Sequence, residues 1–421
     1  MAKRKSPSRR ATARGQAMFS PQNRATPVAS FRGQDVDSKV KAHNRTRTTR
    51  GDMADKIQLG IIGANSNFGW APEAHLPAVV ASAEFELAAV CTTKQESADE
   101  TARRYGARLA FHDYHDLLAH PDIEAVAVVL RVPSHFEPTR DAINAGKSVF
   151  TEWPLGRTTE EAVELTELAR AKGVATAVGL QSRMNPALRY MRDLIAEGYI
   201  GEPTSCHISL IREGVLERPS RRTWQRDVTL GANTMTIAAG HAIDSLVFVA
   251  GQFAKVSAVV STQVPQWLET DTGKLVDVTS PDNVLLAGRL ENGAVASAHV
   301  AAVPFAGRGY RLEVYGREGT LSIETADTPQ RDVLTLQAAK GSNTFTPLDV
   351  PARYAVVSEA TPPGSPYYIG QLYTEFAKSI RTGHGDHPDF GTAVDLHHLL
   401  DALRYASDHG CEADVTNGVA G

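Results

Sequence analysis

At 421 residues, 42% hydrophobic and 22% charged, the chain has the length and composition of two globular domains. No apolar run approaches the ~20 residues that cross a bilayer. Three scattered cysteines, Cys91, Cys206 and Cys411, argue against a disulfide framework and for a reducing, cytoplasmic setting. The net charge is -4, but residues 1–52 carry 13 Lys/Arg against 3 Asp/Glu and the remainder 31 against 45. The acidic body argues against a nucleic-acid-binding face.

Residues 1–52 lack apolar periodicity and are rich in Arg, Ser, Thr, Pro and Gln, which predicts disorder. Three readings stand side by side: an organelle transit peptide, a basic arm, or a segment upstream of a true start near Met53.

An α/β domain is expected over 53–178. Residues 56–62 read as a buried parallel strand ending at Gly63. The turn Gly63-Ala64-Asn65-Ser66-Asn67-Phe68-Gly69-Trp70 follows, then Pro72 in a helix first turn and a helix over 74–81 kinked at Pro77. A strand, a glycine turn and a helix start together cradle a pyrophosphate, because free N–H groups and the helix dipole face the anion. The turn departs from G-x-G-x-x-G. Asn65 replaces the second glycine, and its tolerance of left-handed angles is expected to keep close approach open. Gly63, Asn65 and Phe68 are the candidate cofactor contacts here.

Strands are expected at 85–93, 108–111, 123–132 and 148–152, with helices at 98–105, 114–119 and 134–145. The alternation predicts a doubly wound, Rossmann-like parallel sheet. After the second strand, Thr92-Thr93-Lys94 stands where a carboxylate would grip the ribose 2′-OH. Thr92 and Lys94 suit a 2′-phosphate, a slight lean to NADP over NAD. A solvated Lys94 is the competing reading.

An α+β domain is expected over 179–415. Strands at 205–211, 256–264, 283–290, 294–303 and 311–315 predict a large, mostly antiparallel sheet, with a hairpin turn at Glu291-Asn292-Gly293. Helices are expected at 371–381 and 392–409.

These residues resemble the Gfo/Idh/MocA oxidoreductases, the family that includes glucose-fructose oxidoreductase and inositol dehydrogenase. Val132-Pro133-Ser134-His135 is similar to the turn under the nicotinamide. Residues 145–155, Ala-Gly-Lys-Ser-Val-Phe-Thr-Glu-Trp-Pro-Leu, resemble A-G-K-x-V-x-x-E-K-P-L. Gly240-His241-Ala242-Ile243-Asp244 resembles the H-x-x-D segment, and residues 311–321 a sheet strand and hairpin. Two positions depart: Trp153 replaces the lysine of E-K-P, and Ile237 replaces an aspartate four residues before the histidine. The branch containing the fungal galactose-pathway co-repressor is similar in the Asn turn with Gly69-Trp70, in Arg131 to Glu137, in Glu152-Trp153, in Leu180 to Arg183, in Glu217-Arg218-Pro219 and in Gly240 to Asp244. That co-repressor is regarded as a dinucleotide-binding regulator. The resemblance implies C-terminal helices (366–410) packing back towards the first domain, and a homodimer or homotetramer built on the open sheet face.

Hydride transfer from an alcohol to a nicotinamide needs a base at the hydroxyl. His241, in a segment poor in charge, is the candidate, against a plain core histidine. Glu152 closes a strand at the ligand-binding edge and is expected at the nicotinamide ribose, with Val132, Pro133, His135 and Gln181 beside the cofactor. Trp153 offers a flat wall to the nicotinamide or a sugar, against a plain packing tryptophan, and cannot shuttle a proton. Arg183, Trp224 and Asp244 are the remaining candidate substrate contacts; Trp224 and Arg222 lie on a loop before a helix expected at Gly231. Histidines at 112/115, 384/387 and 397/398 lack a carboxylate or thiolate cluster at ligand spacing, so no metal is expected. Two functional readings remain: an NAD(P)-dependent oxidoreductase acting on a sugar, polyol or related cyclic alcohol, and a dinucleotide-dependent regulator of weak or no activity.

Overall fold

The computed structural model describes residues 56–415. The basic segment and its three readings lie outside the described residues.

The first half alternates β1 (Ile57–Ile62), α1 (Leu76–Val80), β2 (Phe85–Cys91), α2 (Gln95–Tyr105), β3 (Leu109–Phe111), α3 (Tyr114–Ala119), β4 (Ala125–Val128), α4 (Phe136–Asn144), β5 (Ser148–Thr151), α5 (Thr159–Lys172), β6 (Thr176–Val178) and α6 (Pro186–Ala196). The six strands form one parallel sheet in the order β3-β2-β1-β4-β5-β6. The order reverses between β1 and β4, and the crevice beyond those strand ends is where such sheets take ligands.

Local chemistry sets the boundaries. The π-turn Ala71–His75 precedes α1, and the Leu76 N–H reaches back to the Ala71 carbonyl. Pro77 therefore falls in the first turn of α1, where its missing N–H costs nothing, in place of the expected kink. The strand expected over 123–132 ends at Val128, because Pro133 starts a 3₁₀ turn over Val132–Ser134. Two helices absent from the expectations, α5 and α6, start on the N-caps Thr158 and Asn185, whose side chains accept from Glu161 and Ala187 N–H groups.

The second half adds β7 (Pro203–Glu213), β8 (Glu217–Arg218), α7 (Gly240–Ala250), β9 (Phe253–Ser261), β10 (Gln266–Glu269), β11 (Leu275–Asp277), β12 (Asn283–Leu290), β13 (Val295–Val303), β14 (Gly309–Gly316), β15 (Gly319–Thr325), β16 (Thr335–Lys340), β17 (Thr346–Pro347), α8 (Ser365–Thr382), α9 (Phe390–His409) and β18 (Ala413–Asp414). Nine strands form a sheet ordered β17-β16-β15-β14-β7-β13-β12-β9-β18, antiparallel except for the β7–β13 pair. A small sheet, β11-β10-β8, stands apart. The helix expected at Gly231 begins later: a π-turn over Thr234–Ala239, capped by Asn233, leads into α7.

Helix α8 returns to the parallel sheet. Its Ile369, Leu372, Tyr373 and Phe376 share one core with Leu59, Ile61, Phe85 and Phe150. The opposite face of that sheet is covered by Leu117, Ala142, Ile143 and Leu165 of α3, α4 and α5, in a core continuous with the large sheet. The walls around the strand ends are therefore packed from both halves of the chain. Truncating one of these buried leucines to alanine costs about 2–5 kcal/mol.

Candidate functional site

The glycine turn opens the site. Gly63 has φ +90°, and a Cβ there would strike the Val129 carbonyl oxygen on β4's exit, so only glycine fits. Asn65 does not adopt left-handed angles: Ala306 is the one non-glycine with positive φ among the described residues. Its side chain closes the turn instead, accepting from the Asn67 N–H at 2.9 Å. Phe68 at the tip is 63% exposed. The Ser66 hydroxyl and Trp70 Nε1 are buried without partners.

Thr92, buried, donates to the Lys94 carbonyl at 2.9 Å and lies 2.6 Å from the Ser97 hydroxyl, so it shapes the turn. Lys94 is exposed at the N-cap of α2.

At the ends of β4, β5 and β6 the chain places a buried carboxylate. Glu152 Oε1 lies 2.8 Å from His75 Nε2, and His75 Nδ1 lies 2.8 Å from the Tyr373 hydroxyl. A carboxylate only accepts, so Nε2 carries the proton and Nδ1 accepts from the phenol. Burial, then the Glu152 charge, pushes Tyr373 well above its ordinary range, which keeps that hydroxyl a donor. A Cβ on Gly179 would sit 2.6 Å from the Glu152 carboxyl, so glycine makes room for it. Sequence reasoning missed His75. Its one signal was a polar residue on the alanine face made by Ala71, Ala74 and Ala78, all buried.

His135 is buried with Nδ1 2.7 Å from the Pro154 carbonyl and Nε2 3.0 Å from the Leu130 carbonyl. Burial lowers its pKa against the pull of those carbonyls, and the ring ties the Val132–Pro133 turn to the segment after Glu152. Gln181 is buried with Oε1 unpartnered.

His241 enters from the facing side, in the first turn of α7. It is 5% exposed and its Nδ1 has no partner. Burial, then the charge of Arg331, pulls its pKa down to about 3. Of the two readings of Trp153, a ligand wall and a packing residue, its burial favours packing. It is 4% exposed, its Nε1 donates to the Thr236 carbonyl at 2.8 Å, and its ring lies 4.8 Å from the His397 ring. A Cβ on Gly240 would sit 2.6 Å from that indole nitrogen, so Trp153 seats the helix that carries His241. Half-buried Arg183 and buried Asp244 are brought together as a pair, with guanidinium–carboxylate distances of 2.7 and 3.0 Å. Burial pushes Asp244 up, and Arg183 opposes that shift. Trp224 lies in the 3₁₀ segment Ser220–Arg226 with the Arg131 guanidinium 5.2 Å from its ring. The same segment crosses the exit of β4, since Arg131 donates to the Arg221 carbonyl at 3.1 Å.

These residues fit a dinucleotide. A turn that admits only glycine, a carboxylate held in place, and unpartnered polar atoms on Ser66 and Gln181 surround the crevice at the switch point. A model of oxidoreductases with an NAD-binding Rossmann fold matches residues 57–180, and one of the Gal80p C-terminal domain matches 186–325. The chain is 30% identical over 268 residues to the 1,5-anhydro-D-fructose reductase of Ensifer adhaerens, covering 63% of this chain and 76% of that protein. The chain belongs to the Gfo/Idh/MocA oxidoreductase family. It is also 27% identical over 298 residues to the galactose/lactose metabolism regulatory protein GAL80 of Saccharomyces cerevisiae, covering 64% and 67% of the two chains. Among solved structures, levoglucosan dehydrogenase in complex with NADH and L-sorbose matches with a TM-score of 0.74 and 25% identity, over 86% of this chain and 99% of that one.

Proposed function

We propose that the chain is an NAD(P)-dependent oxidoreductase acting on a sugar, polyol or related cyclic alcohol by hydride transfer. The observation that carries the reading is His241: a buried imidazole with an unsatisfied nitrogen in the first turn of α7, next to Gly240, which packs on the residue following Glu152. The sugar reductase and sugar dehydrogenase among its relatives support the substrate class.

The cofactor supplies a nicotinamide that accepts or returns a hydride. This chain's residues do the rest. Amides of the Gly63–Trp70 turn hold the diphosphate, and Glu152, fixed by His75, accepts from a ribose hydroxyl. Gln181 offers a free carbonyl oxygen beside it. His241 takes the substrate hydroxyl proton at an imidazole nitrogen as the alcohol is oxidised and returns it in the reverse direction. Trp153 excludes water and holds α7 in register, a positioning role. The Arg183–Asp244 pair braces α7 against the turn after β6.

Lys94, exposed where a carboxylate would reject a 2′-phosphate, supports acceptance of NADP alongside NAD. A homodimer or homotetramer through the outer face of the nine-stranded sheet fits the exposed Val259 and Leu285 on that face. Among the described residues no helix is long and apolar enough to cross a membrane.

The second reading, a dinucleotide-dependent regulator, draws on Trp153 in place of a titratable lysine and on the GAL80 relative. His241→Ala decides between them. The expected result is a ~10²–10⁴-fold loss of turnover with NADH affinity kept. Tight cofactor binding with no turnover of any sugar by the native chain would favour the regulator.

A further inference from the structure

About half of the arginines among the described residues are answered by carboxylates. Arg183 pairs with Asp244, Arg157 with Glu161, Arg189 and Arg192 with Asp386, and Arg311 with Glu324. Arg218, half-buried, and Arg222, exposed, are among those that are not, and both reach towards Gln225. Arg218 lies on β8 with its guanidinium 4.3 Å from the Trp267 ring centre; its Nη1 is 3.4 Å from Gln225 Oε1, and its Nε is buried with no partner. Arg222, one turn on, sends Nη2 to the same Gln225 oxygen at 3.5 Å. Among the described residues neither has a carboxylate within ion-pair reach. One neutral amide oxygen, at long range, is shared by two cations.

The segment carrying Arg222 lies over the exit of β4, as the Arg131–Arg221 and Arg131–Trp224 contacts place it. Arg331 stands on the same side. Its guanidinium is 4.9 Å from the Trp70 ring centre and 2.6 Å from Glu73, beside the cofactor turn. The charge of Arg331 is felt by both Arg222 and His241. Burial, with Arg222 and Arg212 adding to it, pulls Arg218 down to about 10. Guanidinium groups stay protonated at working pH, so the Arg218 charge is held partly desolvated beside other cations, a state that a bound anion would relieve. Next to Arg331 in the chain, Gln330 Oε1 and Thr328 Oγ1 are buried and unpartnered.

We propose that the substrate carries an oxyanion, a carboxylate or a phosphate ester on a sugar-like ring, and that Arg218, Arg222 and Arg331 receive it beside His241. This rests on the reading of the crevice as a sugar-binding site and narrows its substrate class. Planar guanidinium donors in pairs match both anions. An anion seated there would also offset the Arg331 charge, the smaller of the two effects that hold His241 down; burial, the larger, would remain.

The test uses the full chain loaded with NADH and titrated calorimetrically with D-glucuronate, D-glucose 6-phosphate, inorganic phosphate and D-glucose. Binding of an anion in preference to D-glucose is expected. Glucuronate alone binding would identify the carboxylate source; the two phosphates binding would identify the phosphate source. Arg222→Gln and Arg218→Gln should each weaken that binding roughly 10- to 100-fold, with Arg222→Lys intermediate, while NADH affinity and Tm stay near native. Equal binding of D-glucose and the anions, or no anion binding by an NADH-loaded chain, would overturn the proposal. So would variants that weaken NADH instead, since the arginines would then serve the cofactor diphosphate. None of these readouts requires turnover, so an inactive chain that binds the anion defeats hydride transfer and leaves this site standing. Preferred turnover of neutral sugars defeats this site alone.

Discussion

On the cofactor side of the crevice the buried carboxylate is held before any ligand arrives: Glu152 by His75, and His75 by Tyr373. On the facing side, outside the Arg183–Asp244 and Arg331–Glu73 pairs, polar groups are left open: an unpartnered His241 Nδ1, an unpartnered Arg218 Nε and two guanidinium groups on one amide oxygen. On the proposed reading the first side holds its carboxylate ready for a constant partner, with the Ser66, Trp70 and Gln181 polar atoms left to meet it, and the second would be completed by a variable one.

The comparison breaks most sharply at Gly63. Gly63→Ala forces a Cβ into the Val129 carbonyl at a positive φ, so loss of NADH binding together with a lowered Tm is expected. Native cofactor affinity in that variant would show that the turn is not the anion cradle. A smaller effect separates preorganisation from simple contact. His75→Ala leaves Glu152 without its buried partner, at a cost of about 1–3 kcal/mol. That cost should appear in cofactor affinity and less in the chemical step; a pure kcat effect would place His75 in the reaction instead.

The smallest effect is in acid. His241 and His397 are pulled to about 3 and about 4, in each case first by burial; the second charge is Arg331 for His241 and His398 for His397. The unfolded chain therefore binds more protons below pH ~6.5, and native stability is lost as pH falls from there towards those values. Tm should drop between pH 7 and 5, and His397→Gln should flatten the slope. A Tm independent of pH over that interval would contradict the buried, neutral state of these rings.

What the sequence made legible follows from range. Buried parallel strands are short apolar runs, so β1, β4 and β5 could be read along the chain, and the glycine turn with them. The mostly antiparallel character of the large sheet was equally legible from alternation. The order of its strands was not, because pairings such as β7 with β13 join residues some 90 apart in the chain. The helix α5 had its Thr158 cap and terminal Gly173 in plain view and was still overlooked. The site was harder. Glu152, Gln181 and His241 were named from motif positions, but their partners are set by tertiary distance: His75 lies 77 residues from Glu152, and Arg183 lies 61 from Asp244. For the same reason the sequence left Trp153 open between a ligand wall and a packing residue, and the structure buries it. Nothing local reveals that Gly240 leaves room for an indole arriving from another strand.

The central claim is that this crevice joins a nicotinamide to a working imidazole, and single-turnover absorbance at 340 nm tests it most directly. Native chain in excess over NADH, mixed with a panel of keto sugars, keto-uronates and keto sugar phosphates, should lose the 340 nm band with at least one of them, and His241→Ala, still binding NADH, should hardly lose it at all. A band that persists with every compound while NADH remains bound to the native chain would contradict the account.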